Sequence, residues 1–300
     1  MPARHRPPYK GVNTTPTEIL TSDDPSFEGM VFDLADPTYR AKPRISVSGL
    51  KKFGKSSAHG KAGLDGRGPQ FSKEAGDVGR LCHTVVLQPE LMDSEFAVSP
   101  KFDRRTKQGK ADATAFDEGV GDRTVVTEDQ RQLALQIRDS VYAHPLAASM
   151  LSPFHKGRAE VSAFWPAPTD DGTPIPVKGR FDWLVEDFEG DPLIFDLKTC
   201  QDASASDFPK SAGRFGYHLQ AAFYSDGYRH LTGRRPRFVF GAVEKVAPYA
   251  VQLFEFDYAS IERGRQAYRS ALLTYVTGQR TGHWPSYPTD IVQMTLPPWV

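Results

Sequence analysis

The sequence predicts an α/β fold, a central mixed sheet flanked by helices with a helical N-terminal part, and three observations support that expectation. Residues 45–145 carry apolar spacing of helical period. Residues 159–197 carry strand-like runs separated by turn residues. Residues 204–277 then alternate helical segments with two more strands.

Residues 1–42, rich in Pro, Ser, Thr and Asp, read as an extended or flexible arm. The folded part is expected to begin at Ile45-Ser46-Val47-Ser48-Gly49-Leu50, with Ser48 capping a short helix that ends near Gly54. Gly60 to Ser72, with four glycines and a proline, reads as a loop. A helix is expected from Lys73 to Leu87, where Val78, Cys82, Val85 and Val86 form an apolar stripe and Pro89 stops it. Residues 99–124 are polar and charged. Thr127 and Gln130 have the spacing of a capping box, and Leu133, Ile137 and Val141 follow at intervals of four. Ala159 to Trp165, Val177 to Glu186 and Leu193 to Leu197 read as strands, with turns at Asp170-Asp171-Gly172 and Glu189-Gly190-Asp191. Helical segments near Ser204 to Ser211 and Arg214 to Leu231, strands Phe238 to Glu244 and Ala250 to Phe256, and a helix from Tyr258 to Thr277 complete the series. Residues 43–280 are expected as one domain, with 281–300 as a tail.

Composition narrows the function. The 37 basic and 37 acidic residues cancel, so coating nucleic acid by net charge alone is excluded and any phosphate contact must be local or metal-mediated. Two cysteines, Cys82 and Cys200, cannot fill a four-cysteine zinc or iron–sulfur site. No apolar run reaches the ~20 residues of a membrane span, and residues 1–10 lack the apolar core of a secretory signal, so a cytoplasmic protein without membrane partners is expected.

The chemistry concentrates in Gly179-Arg180-Phe181-Asp182 and Ile194-Phe195-Asp196-Leu197-Lys198-Thr199. Strand alternation points Asp196 and Lys198 one way and Phe195 and Leu197 the other, and a hairpin places Asp182 beside them. Two carboxylates and an ammonium at one sheet edge suit a hard cation such as Mg2+, which takes oxygen ligands and keeps several waters; Mn2+ is an expected substitute. The lysine would hold water or offset charge on a phosphate. Gly79 and His83 lie four apart on one helix face, where an imidazole could join the metal and the glycine leaves room for a strand or sheet edge. Gln220 and Tyr224, also four apart, could face the same cleft.

With those residues in order, the sequence resembles the PD-(D/E)xK nuclease superfamily, in particular its RecB-like branch and the exonuclease VIII (RecE)-type domains of phages and prophages. The resemblance covers about residues 43–278 and rests on the Ile45–Leu50 string, Gly79-x-x-x-His83, Phe181-Asp182-Trp183, Asp196-x-Lys198 and Gln220-x-x-x-Tyr224. Phe181 stands where the motif name has proline.

The resemblance implies a restriction-endonuclease-like core. It makes Asp182 and Asp196 metal ligands, with His83 and Glu160 completing the shell, and makes Lys198 the catalytic lysine. Gln220 and Tyr224 would orient the strand or the site. It further implies 5′-to-3′ degradation of linear duplex DNA in phage-type recombination, a single-strand annealing partner and a homo-oligomer. Arg104, Arg105 and Lys107, followed by Lys110, form a basic run suited to DNA phosphates, and Arg180 and Thr199 flank the acids as further DNA contacts. Two alternatives stay open: a nuclease of this fold with single-strand or endonuclease specificity, and a non-catalytic DNA-binding subunit.

Overall fold

A computed structural model describes residues 27–69, 72–169 and 172–296. Strand β1 (Gly29–Val31), helix α1 (Asp36–Ala41), strand β2 (Ile45–Ser46) and helices α2 (Val47–Lys51) and α3 (Ser57–Leu64) come first. Helix α4 (Lys73–Leu87) leads to a small parallel pair, β3 (Phe96–Ser99) and β4 (Thr124–Thr127), separated in sequence by α5 (Lys107–Gly119). Helices α6 (Glu128–Ala143) and α7 (Pro145–Met150) precede three long strands, β5 (Arg158–Ala167), β6 (Ile175–Phe188) and β7 (Asp191–Cys200). Helices α8 (Phe208–Arg214) and α9 (Tyr217–Thr232), strands β8 (Arg237–Glu244) and β9 (Val251–Phe254), and helix α10 (Tyr258–Thr281) complete the chain.

The main sheet runs β1-β5-β6-β7-β8-β9, with β2 also pairing β6. It is mostly antiparallel; β7 with β8 and β2 with β6 are the parallel pairs. A parallel neighbour needs a crossover, and α8 and α9 supply it between β7 and β8. Alternation along the strands then feeds two cores. Phe181, Ile194 and Phe240 pack with α9 and α10 on one face, while Leu193, Phe195, Leu197 and Val239 pack with α4 and α6 on the other. Burying each such side chain contributes roughly 1.5–3 kcal/mol. Helix α6 starts on the capping box: the Gln130 amide N–H donates to Thr127 Oγ1 at 3.1 Å, and the Thr127 N–H donates to Gln130 Oε1 at 2.8 Å. Helices α9 and α10 cross closely at Gly264, where an added Cβ would lie 2.1 Å from the His218 carbonyl oxygen.

Several segments differ from their sequence-based expectation. Residues 57–64, partly inside the expected Gly60–Ser72 loop, form α3, because a glycine at position 60 lets the helix lie against the Phe53 ring; a Cβ there would sit 2.2 Å from it. Ser48 lies inside α2 rather than capping it, and Ser46 holds the N-cap position without a side-chain bond. The polar stretch 99–124, to which the sequence reading assigns no element, contains α5, capped by Thr106 Oγ1 accepting from the Gly109 N–H at 2.9 Å. From residue 29 on, the expected arm is part of the fold: β1 pairs with β5, and buried Lys178 donates to the carbonyls of Tyr39, Arg40 and Lys42 at 2.7, 3.0 and 2.7 Å. The remainder of that arm (1–26), the two aspartates of the Asp170-Asp171-Gly172 turn and the last four residues of the tail lie outside the described residues.

Candidate active site

Strands β6 and β7 pair at Val185↔Leu193, Leu184↔Ile194 and Trp183↔Phe195, and no ladder pair joins Asp182 to Asp196. Beyond that point β6 stays with β5 (Phe181↔Val161) and β7 stays with β8 (Asp196↔Phe240, Lys198↔Ala242). The sheet forks there. The fork frees the Leu197 N–H, and Asp182 Oδ2 accepts it at 3.0 Å, as a buried peptide donor requires.

Opposite Asp182, the β5–β6 ladder skips Glu160, which sits at φ 50° between the pairs Ala159↔Trp183 and Val161↔Phe181. A left-handed non-glycine residue costs of order 1 kcal/mol or more. The kink turns the Glu160 carboxylate to the α4 side of the sheet. There His83, Glu160 and Asp182 each offer one ligand atom, all within 4.8 Å of one another, and His83 Nδ1 lies 3.5 Å from Asp182 Oδ2. Burial, and after it Asp182, push Glu160 up to about 8; Arg180, 3.8 Å away, only partly offsets this. Burial also lowers the His83 pKa, against the pull of Asp182, so the imidazole is a neutral donor.

Asp196 occupies the α9 side of the fork and is completely buried. Its Oδ1 ion-pairs with Lys198 and its Oδ2 accepts from Gln220 Nε2 at 2.5 Å. Burial and then Asp182 raise the Asp196 pKa. Burial alone would lower Lys198, but Asp196 and Asp182 outweigh it and hold the ammonium charged beyond its ordinary range. Lys198 Nζ also stands 5.1 Å from the Tyr217 ring centre, and Lys51 Nζ stands 5.3 Å from the same ring. Burial, then the Lys198 charge, bring Lys51 down to about 8.

The structure therefore gathers His83, Glu160 and Asp182 into one donor set, with Asp196, Lys198 and Gln220 adjoining it across the fork. Tyr224 is buried against Phe181 at 5.2 Å between ring centres; burial raises its pKa well above the ordinary value, and Asp196 and Asp182 add to the rise. Arg180 is consumed by Ser162 Oγ, Asp36 Oδ1 and the Leu34 carbonyl at 3.1, 3.1 and 2.8 Å, which makes it a support for the Glu160 region rather than a free cation. Half-buried Thr199 alternates to the face opposite Lys198. Arg104, Arg105 and Lys107 are exposed at the start of α5, and Arg105 pairs with Asp103.

A cavity of about 580 Å³ opens beside the donor set, lined by His83, Glu160, Arg80, Arg180 and, from the N-terminal segment, Asp36 and Arg40. None of the Arg104–Lys107 run lines it. Gly79 faces this space, and a methyl there would meet nothing within 4 Å. One participant had no signal in the sequence reading, Lys51. Lys51 is 169 residues from the Gln220 it touches, beyond any local pattern.

A family model described as a PDDEXK-like domain of unknown function (DUF3799) matches residues 46–294. A solved structure named "Putative exonuclease", from Eubacterium rectale, is similar in fold at a TM-score of 0.58 and 15% identity, covering 89% of this chain and 97% of that one. The structure of SSO0001 aligns at a TM-score of 0.29 and 13% identity over 63% of this chain and 84% of that one, too little to carry an argument. No curated protein matches. No helix among the described residues is long and apolar enough to cross a membrane.

Proposed function

The chain belongs to the PDDEXK-like family DUF3799, and on that premise we propose that it is a divalent-metal-dependent DNA nuclease. The observation that carries the proposal is the His83–Glu160–Asp182 donor set beside the Asp196–Lys198 pair at the fork of β6 and β7. Two carboxylates and one neutral imidazole fit a hard cation of the magnesium or manganese type. Burial and then the neighbouring Asp182 carboxylate raise the Glu160 pKa, a penalty on the charged form that a divalent ion would offset. Bound there, such an ion would polarise a phosphodiester and an attacking water.

The chain's own residues supply the rest. Lys198, held charged by Asp196, is placed as an ammonium donor to the phosphoryl oxygens as negative charge develops on them. Asp196 fixes that ammonium, and Gln220 fixes Asp196. The adjoining cavity of about 580 Å³ gives a strand access to the donor set.

The finer reading is exonucleolytic, 5′-to-3′ degradation of linear duplex DNA in phage-type recombination, with a single-strand annealing partner and a homo-oligomer around DNA, in the cytoplasm of a bacterial or phage-infected cell. Its supports are the RecE-type motifs and the name of the Eubacterium rectale structure. The test is a duplex labelled at either end, set against closed circular plasmid, in Mg2+, Mn2+, Ca2+ and chelator. Linear duplex should be lost from its 5′ ends in Mg2+ or Mn2+, with circles surviving and Ca2+ giving no turnover. Full activity in excess chelator would sink the metal reading. Plasmid linearised at a comparable rate would replace the exonuclease with an endonuclease.

A further inference from the structure

We propose that Lys51 is a positioning residue of this site, its ammonium fixing the Gln220 carboxamide so that the NH2 group stays on Asp196. The consequence for turnover rests on the nuclease reading; the geometry does not. Lys51 Nζ donates to Gln220 Oε1 at 3.0 Å, and Gln220 Nε2 donates to Asp196 Oδ2 at 2.5 Å. A carboxamide has two orientations with donor and acceptor exchanged. An ammonium only donates and a carboxylate only accepts, so the two neighbours select the same orientation, and each would oppose the other one.

The lysine is itself held. Its stem runs over Gly216, the N-cap of α9 at φ 64°, whose added Cβ would lie 3.6–3.7 Å from three stem carbons. Its ammonium sits at the Tyr217 ring that Lys198 also faces. Helix α2 presents Lys51 from its last turn, with Val47, Gly49 and Leu50 buried beneath. Lys51, Gln220, Asp196 and Lys198 thus form one chain of contacts from the N-terminal helices to the catalytic ammonium.

The experiment uses the full chain with Lys51→Met, which keeps the stem, and Lys51→Arg, which keeps a donor. On linear duplex, Lys51→Met should lower kcat by about 10- to 100-fold with KM within about threefold, and Lys51→Arg should recover most of the loss. Added to Gln220→Ala, Lys51→Met should cost less than about twofold more, because both changes break one chain of contacts. A raised KM at unchanged kcat, or fully additive losses, would overturn the proposal in favour of direct phosphate contact. A second measurement needs no activity: side-chain carboxamide NMR on protein labelled with 15N-glutamine, the Gln220 signals being assigned by their loss in Gln220→Glu. Those signals should shift in Lys51→Met and stay near their wild-type positions in Lys51→Arg. An unmoved Gln220 carboxamide in Lys51→Met refutes the proposal even if the chain cleaves DNA. A shift in a chain that cleaves nothing would sustain the positioning while the nuclease reading falls.

Discussion

The two sides of the fork handle charge in opposite ways. On the α4 side, Glu160 and Asp182 share a half-buried space with a neutral imidazole, and the nearest cation, Arg180, is divided among Asp36, Ser162 and a backbone carbonyl. On the α9 side, both oxygens of Asp196 are taken by Lys198 and Gln220, with Lys51 behind them. The first side carries negative charge in excess and gains from an incoming cation. The second has a cation in contact, although burial and then Asp182 still raise the Asp196 pKa. The difference sets an open donor set beside an acid that already holds a lysine, although the same residue type, aspartate, stands at the centre of each.

The sharpest way to break the comparison is to discharge the α4 side. Asp182→Asn should reduce cleavage by about a thousandfold, the several kcal/mol that metal-assisted charge stabilisation supplies. Mn2+ binding, followed by calorimetry, should weaken in parallel. Mn2+ binding at wild-type strength would move the cation away from Asp182.

On the α9 side, Lys198→Met should cost about 10²–10³-fold in kcat, the usual loss for one transition-state donor. It should also destabilise the metal-free protein by roughly 3–5 kcal/mol in urea unfolding, since buried Asp196 loses its counter-charge. A turnover loss without a stability loss would show that the pair is not closed in solution. His83→Ala tests the neutral donor: the Mg2+ midpoint for activity should rise by about 10- to 100-fold, with the metal-free melting temperature little changed. A lowered melting point at an unchanged midpoint would assign His83 to the core. Tyr224→Phe should be the mildest change, with a rate within about threefold of wild type. A drop beyond tenfold would bring Tyr224 into the site.

The sequence made the long elements legible. The β6–β7 hairpin, the capped α6 and the crossover helices carry strong periodicity or a local start signal, and they hold most of the core. Elements that depend on a distant partner were not legible. Helix α3, with two glycines inside it, is justified only by the close approach of Phe53 and Lys52, a tertiary effect that overrides propensity. Strand β1 has three residues, too few to show a period.

The candidate site divides in the same way. Asp182, Asp196 and Lys198 stand out as charges bordering apolar strand runs. Nothing local marks the backbone kink at Glu160 or the reach of Lys51 across 169 residues. Tyr224 lies one turn from Gln220 and packs with Phe223 and Tyr228 in the core, so spacing alone does not separate a core role from a site role.

The bond from the Leu197 amide to the Asp182 carboxylate gives that aspartate a second duty, as the last rung joining two diverging strands. An alanine at position 182 would strip the site and strand a peptide group at once, so a dead Asp182→Ala protein could owe its failure to a frayed hairpin. An amide keeps an acceptor oxygen for that rung. Inactive versions made to trap a complex should therefore carry asparagine at position 182, and the architecture itself dictates which inert protein is still a faithful copy.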